Sequence, residues 1–174
     1  RRTIAGIASR YGSEIVRLVS ETVKRWDAGT ITGRLEQLRS QDGGQVDAIA
    51  LKIRQRLAEL RPGDAILGEE DGGVLREDAV TWVVDPIDGT VNYLYGLPAW
   101  GVSVACVVGD PRTPGAWRTV AGAVGAPVWG ELFHAGLGQG AVLQGPDGRE
   151  RSLAVTSLED PGRALVGTGF GYDA

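Results

Sequence analysis

Two aspartates three residues apart, Asp85 and Asp88, close an apolar run and are followed at once by a glycine and a threonine, in TWVVDPIDGTVNY (residues 81–93). Hard cations such as Mg²⁺ take carboxylate, carbonyl and water oxygens, and this stretch is rich in the first two. Pro86 biases Asp85 away from helix, leaving it extended at the end of a strand. In a folded loop the two carboxylates converge; on a continuing regular strand they would point to opposite faces. Ile87, where the chain must bend, has a backbone carbonyl that could serve as a ligand without help from its side chain. Gly89 supplies a bend and an unobstructed N–H, and Thr90 adds a hydroxyl and a second N–H. A helix starting near Thr90 would turn its amino terminus towards an anion. Carboxylates sharing metals beside backbone donors for phosphate suit metal-assisted phosphoryl transfer. The same residues also suit an Asx-type turn, and taken alone the stretch leaves both readings open. An EF-hand is excluded: counting from Asp85, the third position is Ile87 and the twelfth is Gly96, where a bidentate glutamate is needed.

A second acidic feature lies upstream. AILGEEDGG places Glu69 and Glu70 directly after a short apolar run. Acidic residues in a turn are ordinarily a solvated surface. Two strands that each end on carboxylates, however, could build one shared site at a sheet edge.

The surrounding chain reads as two helices followed by a meander. Ile4, Ile7, Ala8, Tyr11, Ile15, Leu18 and Val19 recur at helical spacing, predicting an amphipathic helix over about residues 2–26. Residues 27–45 are polar and glycine-bearing and read as loop with room for a helical turn. A second helix carries Val46, Ile49, Ala50, Ile53, Leu57 and Leu60 on one face and stops at Arg61-Pro62-Gly63. Short apolar runs follow at 65–68, 81–84, 100–108, 119–135 and 140–145, with 163–169 as one more candidate. Gly- and Pro-rich turns separate them, as in a largely antiparallel sheet. The fold class expected is α+β.

Bulk properties narrow the function. The net charge of −4 gives no general attraction to nucleic acid or an anionic membrane, so neither is expected as a partner. The single cysteine, Cys106, rules out an internal disulfide framework and favours a reducing compartment, so a cytoplasmic location is expected. In WGVSVACVV that thiol reads as buried and inert. His134, the only histidine, reads as a partly exposed strand position rather than a ligand. GLGQGA (136–141) fits a loose dinucleotide-binding pattern, but between two strands it reads as a glycine turn. The 174 residues contain no methionine, so the sequence is expected to be part of a longer protein.

Gly68-Glu69-Glu70, followed by Trp-Val-Val-Asp-Pro-Ile-Asp-Gly-Thr-Val-Asn-Tyr at 82–93, resembles the inositol monophosphatase family of Mg²⁺-dependent, lithium-sensitive phosphatases. YGLPAWGVSVA, GELFHAGLGQGA and LVGTGFGYD resemble the family's strands in the same order, so the resemblance runs over nearly all of residues 1–174. It implies a layered αβαβα sandwich, of which residues 1–174 hold the N-terminal two-helix and mostly antiparallel sheet part. It also implies Mg²⁺ as cofactor and hydrolysis of a small phosphate monoester, with inositol 1-phosphate the foremost substrate. Histidinol phosphate and nucleoside 3′,5′-bisphosphates remain open within the class, and a truncated non-catalytic binding relative remains open outside it. By position, Glu69 resembles the metal-binding glutamate and Asp85 the aspartate bridging two metals. Ile87 resembles the residue whose carbonyl binds one metal, and Asp88 a second-metal ligand that also faces substrate. Gly89 and Thr90 resemble the residues whose amides hold phosphate, with the Thr90 hydroxyl orienting the attacking water. Asp47 resembles an aspartate that helps activate that water, although the family's Val-Thr-x-x-Asp reads Gly-Gly-Gln-Val-Asp here. A carboxylate in a helix's first turn is also favoured by the macrodipole alone. The family's C-terminal Trp-Asp motif has no counterpart after the strands; the only Trp-Asp is Trp26-Asp27. The resemblance further implies a homodimer.

Overall fold

The computed structural model describes the backbone of residues 4–24, 44–68, 80–110 and 113–167, and the side chains of 11–22 and 50 onward within these, Leu94 excepted. Helix α1 runs Ile4–Lys24 and α2 runs Gly44–Leu60. Tyr11, Ile15, Leu18 and Val19 are buried at the helical spacing that predicted them, as are Ile53 and Leu57 on α2. Helix α2 ends where Pro62 follows Arg61, and the chain turns there: the Arg61 N–H donates to the Leu57 carbonyl (2.7 Å) and the Asp64 N–H to the Arg61 carbonyl (3.0 Å). Among the described residues no helix is long and apolar enough to cross a membrane.

Among the described residues, seven strands form one sheet in sequence order. They are β1 (Ala65–Gly68), β2 (Val80–Asp88), β3 (Gly101–Gly109), β4 (Trp117–Ala126), β5 (Glu131–Gly136), β6 (Gly140–Gln144) and β7 (Glu150–Leu153). Only β1 and β2 run parallel; every other pair is antiparallel, so the expected α+β meander is what forms. Helix α1 lies across β3, β4 and β5 while α2 packs on β2. Period-two alternation puts Val102, Val104 and Cys106 under the helices, with Ala121 and Ala123 of β4 and Leu132 of β5.

Three expectations need correction. The run 119–135 is two strands: Pro127 cannot extend the ladder, and a turn closed by Trp129 N–H to Ala126 carbonyl (3.1 Å) folds β5 back on β4. Strand β7 was not expected, because ERSL is polar and largely exposed at the sheet's end and carries no apolar alternation. The candidate strand 163–169 is not one where it is described: Pro161–Arg163 form a 3₁₀ turn capped by Asp160, and 164–167 join no sheet. The loop expected at 27–45 falls almost wholly outside the described residues. GLGQGA is a turn, Gly136 to Gly140, with Gln139 N–H bonded to the Gly136 carbonyl at 2.9 Å.

Cys106 is fully buried, and burial, aided by the Asp64 carboxylate, pushes its thiol up to about 12. It is a packing residue, not a nucleophile. Nearby, a polar cluster sits where α1, the end of α2 and β2 meet. Asp64 accepts from the Arg61 Nε (3.1 Å), from the Trp82 indole Nε1 (3.0 Å) and from the Tyr11 hydroxyl (3.3 Å). Arg61 also donates to the Tyr11 hydroxyl and lies over that ring, its guanidinium carbon 4.1 Å from the centroid.

Candidate functional site

The site grows from the way β1 and β2 leave the sheet. Their parallel register runs from Ala65 with Thr81 to Gly68 with Val84, and the next residues along each chain are Glu69 and Asp85. Two carboxylates thus follow the last paired residues of adjacent parallel strands. Glu69 itself lies outside the described residues.

Asp85 is not the end of β2, as expected, because the strand continues to Asp88 with an irregularity. Asp85 stands opposite Ser103 and Asp88 opposite Gly101, so three steps along β2 match two along β3. This is a one-residue β-bulge. On a regular strand an odd spacing puts two side chains on opposite faces. The extra residue restores even parity, so Asp85 and Asp88 share a face, away from the helices. The convergence expected from a loop is achieved by a bulge instead.

The bulge is held by its own polar atoms. The Ile87 N–H donates to Asp85 Oδ1 at 3.1 Å, closing an Asx turn, and the Thr90 hydroxyl donates to the Ile87 carbonyl at 2.9 Å. The Ile87 side chain is buried in the core cluster, which anchors the loop from below. Asp88 is exposed and Asp85 half-buried. The turn reading and the site reading are therefore the same piece of structure.

Gly89 follows at φ 86° and ψ 41°, the left-handed region, and leads into the one-turn helix α3, Thr90–Leu94. The Tyr93 N–H reaches back to the Gly89 carbonyl at 3.0 Å. A β-carbon on Gly89 would stand 3.0 Å from the Ala99 carbonyl oxygen and 3.3 Å from the Trp100 Cα, both backbone atoms that cannot step aside. Gly89→Ala is therefore expected to cost at least the roughly 1–2 kcal/mol of a non-glycine left-handed residue, read as a lowered urea midpoint.

Two residues that sequence reasoning named only as part of the motif brace this loop. Asn92 donates its side-chain amide to the Ala99 carbonyl at 2.7 Å, tying α3 to the approach of β3. Tyr93 packs edge-on against Trp100, centroids 4.9 Å apart. The signal was present, since both follow Thr90 directly, but only the fold shows what they touch. Asp47 lies in the first turn of α2, and its side chain is outside the described residues.

The donor chemistry fits a hard divalent cation: Asp85, Asp88 and the Ile87 carbonyl are all oxygen donors on one short loop. Among the described residues no three His, Cys, Asp or Glu side chains gather, so these two carboxylates are what the described part brings.

Residues 45–174 match the model of the inositol monophosphatase family. An inositol-1-monophosphatase, SuhB, of Mycobacterium tuberculosis is 48% identical over 125 residues, covering 69% of this chain and 40% of that protein. An inositol-1-monophosphatase of Mycobacterium leprae is 38% identical over 180 residues, covering 98% of this chain and 59% of that protein. The solved structure of Mycobacterium tuberculosis SuhB superposes with a TM-score of 0.67 at 36% identity, over 87% of this chain and 54% of that one. The chain thus spans about half the length of the relatives it matches.

Proposed function

The chain belongs to the inositol monophosphatase family, and from that premise we propose that it carries the metal- and phosphate-holding loop of a Mg²⁺-dependent phosphomonoesterase acting on inositol 1-phosphate. One observation supports this reading most: the bulge that puts Asp85 and Asp88 on one face, beside the point where β1 runs on into Glu69.

Glu69, Asp85, Asp88 and the Ile87 carbonyl would hold Mg²⁺. A cation bound there supplies Lewis-acid charge to the phosphoryl oxygens and acidifies a bound water. The protein's own share is geometric. The Asx turn fixes the Asp85 carboxylate, and the buried Ile87 side chain keeps its carbonyl from drifting. Gly89 and Thr90 direct backbone N–H groups towards a phosphate, since the first amides of a helix have no acceptor within it. The Thr90 hydroxyl, held at the Ile87 carbonyl, would orient the attacking water, with Asp47 as the accepting carboxylate. Spontaneous monoester hydrolysis is slow enough that accelerations reach about 10²¹-fold, and that demand accounts for a site built almost entirely of charge.

The deciding measurement is phosphate release by the full-length protein from inositol 1-phosphate, histidinol phosphate and a nucleoside 3′,5′-bisphosphate across a Mg²⁺ titration. Release from the first alone is the expected result. Preference for either other ester moves the substrate while keeping the reaction. Mg²⁺ binding without release from any of them would make the protein a binding module and sink the enzyme reading. Cytoplasmic residence and a homodimer complete the proposal, and a monomer mass by light scattering would reject the latter.

A further inference from the structure

Strand β1 is four residues long and pairs, among the described strands, with β2 alone. Its own side chains grip unevenly: Ala65 is buried and the half-buried Ile66 packs against the core cluster, but Leu67 and Gly68 are only half-buried. Parallel pairing is slightly weaker per residue than antiparallel, and a slip of one residue would move the strand by about 3.3 Å and exchange its faces. A strand of this length needs something else to hold its register.

That something is attached to its first residue. Asp64 directly precedes Ala65, and its carboxylate is held from three elements at once. Trp82 holds it from β2 at 3.0 Å, Tyr11 from α1 at 3.3 Å and Arg61 from the turn after α2 at 3.1 Å. Trp82 is also the register partner of Ile66, two residues along. The indole thus ties the start of β1 to the strand it must align with, and Tyr11 and Arg61 fix the same carboxylate against the helical layer. Asp64 sits four residues, about 13 Å at the rise of a strand, from Gly68 at the other end of β1, so the cluster acts on the site through the strand.

We propose that the Asp64 cluster is a positioning device: it locks β1 onto β2 in one register and so determines where Glu69 emerges relative to Asp85. The inference rests on the phosphatase reading for its consequence, but the lock itself can be measured without it. Trp82→Phe keeps an aromatic ring beside Tyr11, whose centroid lies 5.6 Å from that of Trp82, and removes only the indole N–H donor and part of the bulk. Tyr11→Phe removes a second donor to the same carboxylate and serves if Trp82→Phe does not fold. Two readouts apply to the full-length protein. Amide exchange of residues 65–68 is expected to speed up about tenfold relative to β4 and β5, and the calorimetric Mg²⁺ affinity to fall about tenfold as the strand that leads to Glu69 loses its register. Val120→Ala, a buried change on β4, is the control: it should lower stability while leaving Mg²⁺ affinity within twofold. Unchanged β1 exchange in a folded Trp82→Phe would overturn the lock. Faster exchange with unchanged Mg²⁺ affinity would overturn its bearing on the site. If the unmodified protein binds no Mg²⁺, the phosphatase reading falls, and the exchange result alone still decides whether the register is held this way.

Discussion

Asp85→Asn is expected to lower phosphate release by on the order of 10³-fold at saturating substrate, with the fold intact, because a carboxylate that shares metals is worth several kcal/mol of transition-state charge and each 1.36 kcal/mol is tenfold. The choice of asparagine matters. Asp85 has two separable roles, as acceptor for the Ile87 N–H at 3.1 Å and as a negative charge one residue past the part of β2 that pairs with β1. An amide oxygen still accepts that N–H and keeps the Asx turn, whereas the charge is gone. Asp85→Ala removes both, so it should add a loss of stability of about 0.5–1.5 kcal/mol for the missing hydrogen bond. Asp88, exposed and one bulge further on, bears less of the loop's own structure, and its loss should fall on activity alone. Comparing urea midpoints with turnover separates the two roles. An Asp85→Asn protein that releases phosphate within tenfold of the unmodified one at saturating Mg²⁺ would remove Asp85 from the site.

The chemistry of this loop was legible because every donor lies within six consecutive residues, Asp85 to Thr90. The helix faces were legible because Tyr11, Ile15 and Leu18, or Ile53 and Leu57, repeat at a period the chain itself sets. What was hidden depends on distant partners. Whether Asp85 and Asp88 share a face is decided by their pairing with Ser103 and Gly101, and no local pattern in DPID reveals a bulge. The break between β4 and β5 was written in Pro127 but masked by apolar residues on both sides of it. Strand β7 forms because β6 offers it an edge, not because ERSL prefers to be a strand. The Asp64 cluster gathers residues 11, 61, 64 and 82, each unremarkable in its own stretch. Glu69 and the Asp47 side chain fall outside the described residues, so their parts in the site rest on the family resemblance.

Arg61→Ala is expected to cost roughly 1.5–3 kcal/mol of stability, the range for a hydrogen bond to a charged group, here in a largely buried pair. The burial justifies that range: the Arg61 side chain is 9% exposed and that of Asp64 13%, with Nε and Oδ2 3.1 Å apart. Burial works against the Arg61 cation, yet Asp64 outweighs it and holds the guanidinium pKa above its ordinary value. Glu14 adds a weaker attraction, its Oε2 3.6 Å from the Arg61 Nε, too long for a hydrogen bond. Alanine would therefore leave the Asp64 carboxylate facing Trp82 and Tyr11 with its countercharge gone, and it would also expose the Tyr11 ring that Arg61 covers. The paired replacement Arg61→Met with Asp64→Leu removes both charges and keeps bulk, so it should be less destabilised than Arg61→Ala alone. Stability and positioning then part company. The double variant regains much of the urea midpoint, but β1 loses the carboxylate that Trp82 holds, so its amides at 65–68 should still exchange faster than in the unmodified protein. A loss below about 1 kcal/mol for Arg61→Ala, the range of exposed pairs, would show that the Arg61–Asp64 pair does not hold the fold.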